Sequence, residues 1–240
     1  MPTPLVIIPT YNEAANIEKL VEQLLSFNVQ ALVVDDNSPD GTSQLISALG
    51  KKWPGQVHLM CRASGKNGRG SATLDGFKWA LERDYDPIFE MDADFSHDPS
   101  ELPRFFEKIK AVDVVVGSRY LPESRILNWP LRRRIFSRLA NALAHFMLHL
   151  PISDYTNGYR CYRRDALKKV APEQITEKGY IVLSYLAVQL AASGCRFGEV
   201  PTLFVNRQRG ASQLSKKEIF QALRGILKLR SYSKSHANNN

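Results

Sequence analysis

Short apolar runs alternate with helical periodicity along the first half of the chain. "PLVIIP" reads as a buried strand, and residues 14–27 place Ile17, Leu20, Val21, Leu24 and Leu25 on one helical face. The pattern then predicts a strand at "ALVVDD", a helix near 42–49, a strand at "VHLMC" and a helix over 70–83. A strand at "PIFEMD", a helix over 100–110 and a strand at "VDVVVGS" follow. Repeated βα units imply an α/β fold with a mostly parallel sheet covered on both faces. Ligands of such sheets bind beyond the carboxyl ends of the strands. The strand exits here are "PTYNE", "DDNSPDG", "RASGKNGRGSA", "DADFSHD" and "SRY", nearly all rich in glycine, polar or charged residues.

After residue 119 the alternation gives way to amphipathic helices. Residues 131–150 set Ile135, Leu139, Ala142, Leu143, Phe146 and Leu150 on one face and Arg134, Arg138, Asn141, His145 and His149 on another. A second such helix, 216–230, carries Ile219, Phe220, Leu223, Ile226 and Leu227 opposite Lys217, Arg224 and Lys228. Either is a core-packed helix or one lying in a membrane interface. The tail 231–240, "SYSKSHANNN", is polar and expected to be disordered, so residues 1–230 are expected to form one domain.

Charge sharpens this division. Residues 1–118 carry 11 Lys and Arg against 17 Asp and Glu, and residues 119–240 carry 21 against 7, together giving the net +8. An acidic half suited to a metal thus precedes a basic half suited to phosphates, lipid headgroups or nucleic acid, unless that basic face is merely solvated. With 240 residues and 44% hydrophobic composition, the chain can bury a substantial core. Cys61, Cys161 and Cys195 lack metal-ligand spacing and are expected to be reduced, buried thiols of a cytosolic protein. The start has no basic region of a signal peptide, and no apolar stretch reaches the roughly 18 residues of a membrane span.

The segment "MDADFSHDP" poses a chemical question, because Asp92 and Asp94 repel each other at the end of an expected strand. Alternation along a strand would aim both side chains at one spot, where a cation would relieve the repulsion. Hard oxygen ligands suit Mg²⁺ or Mn²⁺, which use one or two carboxylates together with substrate phosphates. The alternative is a solvated acidic turn in which Asp98 caps the next helix. Asp35, Asp36 and Asp40 of "DDNSPDG" can accept hydrogen bonds from ribose or base. Gly65, Gly68 and Gly70, with Lys66 nearby, offer a phosphate cradle or an ordinary helix entry.

In this order, "IPTYNE", "VDDNSPDG", "GKNGRGSA", "MDADFSHDP" and "GSRY" resemble glycosyltransferase family 2, whose nucleotide-sugar-binding domain has the GT-A fold. "NWPLRRRIFSRLAN", "DYTNGYRCYRR", "KGY" and "GEVPTLFVNRQRGASQL" extend the resemblance to its dolichol-phosphate mannose synthase group, over about residues 5–228. The resemblance implies that Pro9, Tyr11, Glu13 and Asp36 contact the donor nucleoside, and that Asp92 and Asp94 hold donor and metal, with Ser96 as a further ligand. It implies that Asp94 and Arg207 are catalytic, Arg207 meeting the donor diphosphate, and that Arg119, Arg133 and Ser137 bind the acceptor lipid phosphate. Arginine forks suit those phosphate oxygens independently of the resemblance.

The expected activity is therefore inverting, metal-dependent transfer of mannose from GDP-mannose to a polyprenyl phosphate. The expected place is the cytoplasmic membrane face, with attachment peripheral or supplied by a membrane-anchoring partner protein, and no nucleic acid bound. Some residues depart from the family pattern: Ser96 stands where some members have Gln, Tyr185 and Asn206 replace carboxylates, and Gln213 replaces a Lys. Transfer of glucose or another sugar, or to another acceptor, is the alternative within the fold. A basic RNA- or membrane-binding module would leave the five strand exits unexplained, and in a Rossmann-type dehydrogenase the glycine loop would follow the first strand.

Overall fold

The computed structural model describes residues 2–63, 68–170, 172, 175, 179 and 181–206. Its strands are β1 (Thr3–Thr10), β2 (Gln30–Asp35), β3 (Val57–Cys61), β4 (Tyr85–Glu90), β5 (Val114–Ser118), β6 (Arg125–Leu127), β7 (Arg160–Tyr162), β8 (Phe197–Pro201) and β9 (Leu203–Val205). The helices are α1 (Ile17–Leu25), α2 (Thr42–Lys52), α3 (Arg69–Leu81), α4 (Leu102–Ile109), α5 (Leu131–Leu148), α6 (Arg164–Leu167) and α7 (Ile181–Ala192). Seven strands form one sheet in the order β3-β2-β1-β4-β7-β5-β8, which joins the acidic and basic halves of the chain. All neighbours in it are parallel except β7, which runs antiparallel between β4 and β5. A parallel pair, β6 and β9, stands apart.

The near-continuous apolar strands follow from burial on both faces. Leu5, Ile7, Leu32 and Val34 point into a core shared with Ala72, Leu74 and Phe77 of α3 and with Val182 and Leu186 of α7. Val6, Ile8, Ala31 and Val33 alternate to the other face, against Ile17 and Leu20 of α1, Ile46 of α2 and Phe105 of α4. Gly76 lets α3 approach the sheet, since a Cβ there would lie 2.5 Å from Ile7 Cγ2. Tyr185 is half-buried against the first core.

The structure corrects several expectations. The fourth strand ends at Glu90, so Asp92 and Asp94 lie in the following loop and strand alternation does not align them. Cys61 is exposed, whereas Cys161 and Cys195 are buried. On α5 the structure separates the two readings: Asn141, Ala144 and Leu148 are buried, while Leu131 and Phe146 are each 71% exposed and Leu139 63%, so the apolar stripe from Ile135 to Phe146 is not core-packed. Buried Asn141 is tolerated because its amide donates to Ser137 O (2.8 Å) and accepts from Tyr155 N (2.7 Å). The helix expected at 216–230, the tail 231–240, Lys66, Arg207 and Gln213 lie outside the described residues.

Candidate active site

The carboxyl ends of β1, β2 and β4 open on one edge, and the exits of β1 and β2 bond to each other, Asn12 N donating to Ser38 Oγ (2.9 Å) and Glu13 N to Thr42 Oγ1 (3.1 Å). At the end of β2, Asp35 is fully buried and accepts from Thr10 Oγ1 (3.0 Å), Ser38 N (2.9 Å) and Ser43 Oγ (2.6 Å). Burial pushes the Asp40 carboxyl up, but bonds from Thr42 Oγ1 (2.6 Å), Ala14 N (3.0 Å) and Thr42 N (3.1 Å) outweigh it and keep the group below the ordinary range. These two acids shape the loop. Asp36 is the one that pairs with buried Arg62, and Arg62 also reaches Asp75 Oδ2 (3.0 Å) and Ser71 Oγ. Tyr11 is exposed, Pro9 and Glu13 are half-buried, and Glu13 Oε2 accepts from Asn16 Nδ2 (3.0 Å).

The carboxylate loop after β4 is built on a buried histidine. Asp92 N donates to His97 Nδ1 (3.1 Å), so Nε2 carries the proton and donates to Asn157 Oδ1 (2.8 Å). Burial holds the His97 imidazole below its ordinary pKa, even though Asp92 and Asp94 both pull the other way. Its ring stacks on Tyr159, with centroids 5.0 Å apart. Asp94 Oδ1 accepts from Ser96 N (3.0 Å) and from the Ser96 hydroxyl. Ser96 is buried and orients Asp94. Phe95 adopts φ +57°, a left-handed conformation costly for a side chain of its size, and so marks this turn as held by its surroundings. Asp98 does cap the next turn, accepting from Ser100 N (2.9 Å).

The two half-buried carboxylates offer hard oxygen donors that fit Mg²⁺ or Mn²⁺. Among the described residues no group of three or more His, Cys, Asp or Glu side chains converges as a metal set. A cation there would draw its remaining ligands from substrate oxygens, as Mg²⁺ commonly does.

The basic half meets this loop through β9. Val205 N donates to Ser96 O (3.3 Å), and Asn206 Oδ1 accepts from Arg133 Nη1 (2.8 Å). The Arg133 guanidinium lies 4.2 Å from the Trp129 ring centroid. Ser137, one turn further along α5, bonds to Tyr120 Oη (2.6 Å). Arg119 is buried: its Nε and Nη2 donate to Asp154 (2.7 and 2.8 Å), and Nη2 also to Thr156 Oγ1 (2.7 Å). Sequence reasoning missed Arg62, Arg69, His97, Asp154 and Asn157. The "DYTNG" string was the available signal for the last two, but their partners are distant in sequence.

The profile of glycosyl transferase family 2 matches residues 5–171. The chain is 43% identical over 222 residues to a polyprenol monophosphomannose synthase from Mycolicibacterium smegmatis, covering 91% of this chain and 83% of the relative. It is 40% identical over 213 residues to an undecaprenyl-phosphate mannosyltransferase from Micrococcus luteus, covering 88% of this chain and 87% of the relative. The solved structure of a mannosyltransferase from Pyrobaculum calidifontis, in complex with GDP-Man and Mn²⁺, matches its fold with a TM-score of 0.60 at 17% identity. That match covers 99% of this chain and 73% of the other. Profile, relatives and a sheet whose strand exits form one polar edge agree: the chain belongs to glycosyl transferase family 2 and is a glycosyltransferase with a GT-A architecture.

Proposed function

We propose that this enzyme transfers mannose from GDP-mannose to a polyprenyl monophosphate, with inversion at the anomeric carbon. The observation that carries this reading is the 43% identity, over 91% of the chain, to a polyprenol monophosphomannose synthase. Residues 1–118 form the donor and metal half and residues 119–230 the acceptor half of one domain.

In this reading Pro9, Tyr11, Glu13 and Asp36 line the nucleoside end, and Lys66 and Arg207 meet the donor phosphates. Asp92 and Asp94 hold Mg²⁺ or Mn²⁺, with Ser96 acting through Asp94. A divalent cation bound there supplies positive charge against that which develops on the leaving nucleoside diphosphate. Arg133 and Ser137 present donors to the acceptor phosphate, and Arg119 contributes from its buried seat under Trp129 and Phe204. A phosphate monoester has a second pKa of about 6, so its attacking oxygen is already anionic near neutrality. No general base is then required, which fits Tyr185 lying half-buried against the core where relatives in the resemblance carry a carboxylate.

Among the described residues no helix is long and apolar enough to cross a membrane. The exposed apolar stripe of α5, flanked by exposed Arg132 and Arg138, supports peripheral attachment to a cytoplasmic membrane face. A partner protein that anchors the enzyme would act in the same place.

The test is a panel of nucleotide sugars incubated with one polyprenyl phosphate and Mg²⁺ or Mn²⁺. Transfer is expected from GDP-mannose above all others, with none to the unphosphorylated alcohol. Faster transfer from a different donor, or efficient use of the alcohol, would overturn the reading.

A further inference from the structure

Arg69 opens α3, immediately after the glycine loop, and its largely buried side chain enters the carboxylate site. Each of its three guanidinium nitrogens meets a different acceptor. Nε donates to Asp92 Oδ1 (2.5 Å), Nη1 to Glu90 Oε2 (3.2 Å) and Nη2 to Gly158 O (3.1 Å). Glu90 is fully buried, and its other oxygen accepts from Tyr162 Oη (2.6 Å). Gly158 leaves the seat open, because a Cβ at that position would lie 2.0 Å from Arg69 Nη2 and 2.5 Å from Cζ. Asp92 Oδ2 stands 3.9 Å from His97 Nε2, so the carboxylate is held between Arg69 and the histidine that supports its backbone.

Neutralising Glu90 would need only one arm of this fork. The geometry uses a second arm on Asp92 itself, which couples a buried acid beneath the sheet edge to a carboxylate of the loop. Arg69 also offsets one of the negative charges of Glu90, Asp92 and Asp94, the charge that would attract a cation to the pair.

We propose that Arg69 is a positioning residue for the carboxylate pair: it fixes Asp92 for turnover and, as a resident positive charge, weakens the pair's hold on a divalent cation. The inference rests on the metal reading given above. It makes opposite demands on affinity and rate, which a purely structural ion pair would not.

The test uses the full chain with saturating GDP, whose phosphate oxygens a bound cation would share, and a Mn²⁺ titration followed by electron paramagnetic resonance, with turnover assayed separately. Arg69→Met/Glu90→Gln removes the arm on Asp92 without leaving a buried charge unpaired, and because it deletes one positive and one negative charge it is compared with Glu90→Gln alone, which keeps Arg69. With the charge-assisted bond at Asp92 gone, the Mn²⁺ Kd is expected to fall about tenfold below that of Glu90→Gln. Turnover at saturating Mn²⁺ is expected to fall by at least about tenfold, because Asp92 is no longer oriented. Arg69→Lys keeps the charge but not the three-way fork, so it should hold the Mn²⁺ Kd within about threefold of the parent while still losing turnover. Mn²⁺ binding by the double variant no tighter than that of Glu90→Gln overturns the proposal, as does full turnover in Arg69→Lys. If the double variant binds Mn²⁺ and the parent does not, the inference stands and the metal reading of the parent falls. Binding by neither overturns both.

Discussion

Asp154→Asn should destabilise the protein far more than a change of one atom suggests. Asp154 has no exposed surface, and its two oxygens accept from Arg119 Nε (2.7 Å), Arg119 N (3.1 Å), Arg119 Nη2 (2.8 Å), Asn157 N (3.0 Å) and Thr156 N (3.2 Å). An amide has a single acceptor oxygen and would turn an NH₂ group toward a guanidinium that is itself buried. Breaking one partner of a buried pair costs about 3–5 kcal/mol, and the retained amide oxygen argues for about 3. For a chain of this size each kcal/mol moves Tm by roughly 2–4 °C, so a fall of about 6–12 °C is expected.

The acid limb provides a second reading of the same pair. Burial alone would raise the Asp154 pKa, but the charge and hydrogen bonds of Arg119, with the backbone N–H of Thr156, outweigh it and hold the carboxyl below its ordinary value. A depressed folded-state pKa contributes stability that is fully present above the unfolded value, near 3.8, and is lost as pH falls through the folded one. The gap between parent and variant in urea unfolding should therefore narrow below about pH 4. Arg119→Met/Asp154→Asn should recover part of the loss, since no unpaired charge remains. A single-variant cost under about 1 kcal/mol, or a double variant as unstable as the sum of its singles, would refute the argument.

Asp92→Asn and Asp94→Asn should each abolish metal-stimulated turnover while leaving the circular-dichroism spectrum unchanged; activity that persists undiminished in chelator would sink the metal assignment. Arg133→Ala should raise the apparent KM for polyprenyl phosphate about tenfold to a hundredfold, the worth of a charge-assisted bond, and that for GDP-mannose much less. Equal effects on both substrates would remove Arg133 from the acceptor site. Leu139→Ser/Phe146→Ser should halve or further reduce sedimentation with anionic vesicles yet change folding stability by less than about 0.5 kcal/mol, because both side chains are exposed. A large loss of stability with unchanged vesicle binding would show that the stripe is covered by protein.

What could be read from the sequence was whatever a local pattern encodes. The β3 run "VHLMC" matches its strand residue for residue, and α1 buries Ile17, Leu20, Val21 and Leu24 as the periodicity requires. Asp92 and Asp94 were visible as a charged pair beyond a strand, but the alignment argument failed because β4 stops at Glu90. The periodicity of α5 defines an apolar stripe without saying which side meets the core. There Asn141 is buried because its amide finds backbone partners, while Arg138, His145 and His149 of the same polar face stay exposed. Arg69 escaped notice for a different reason: its acceptors lie 21, 23 and 89 residues away, beyond any window of periodicity.

The stretch from Asp154 to Gly158 shows why the two halves of the chain need not behave as independent sites. Asp154 seats Arg119, Asn157 fixes the tautomer of the histidine beneath Asp92, and the Gly158 carbonyl takes one arm of Arg69. Asn157 also donates to Gly117 O (2.6 Å), tying the same stretch to the end of β5. These bonds run in both directions from one short segment that leads into β7, the strand inserted antiparallel between β4 and β5. The insertion places the segment where the exits of β4 and β5 are both within reach. A displacement there would move the carboxylate loop and the Arg119 cluster together, because each is bonded to the same few residues. The antiparallel strand thus gives the sheet a mechanical link between the carboxylate site and the basic half, which a wholly parallel order with β4 beside β5 would lack.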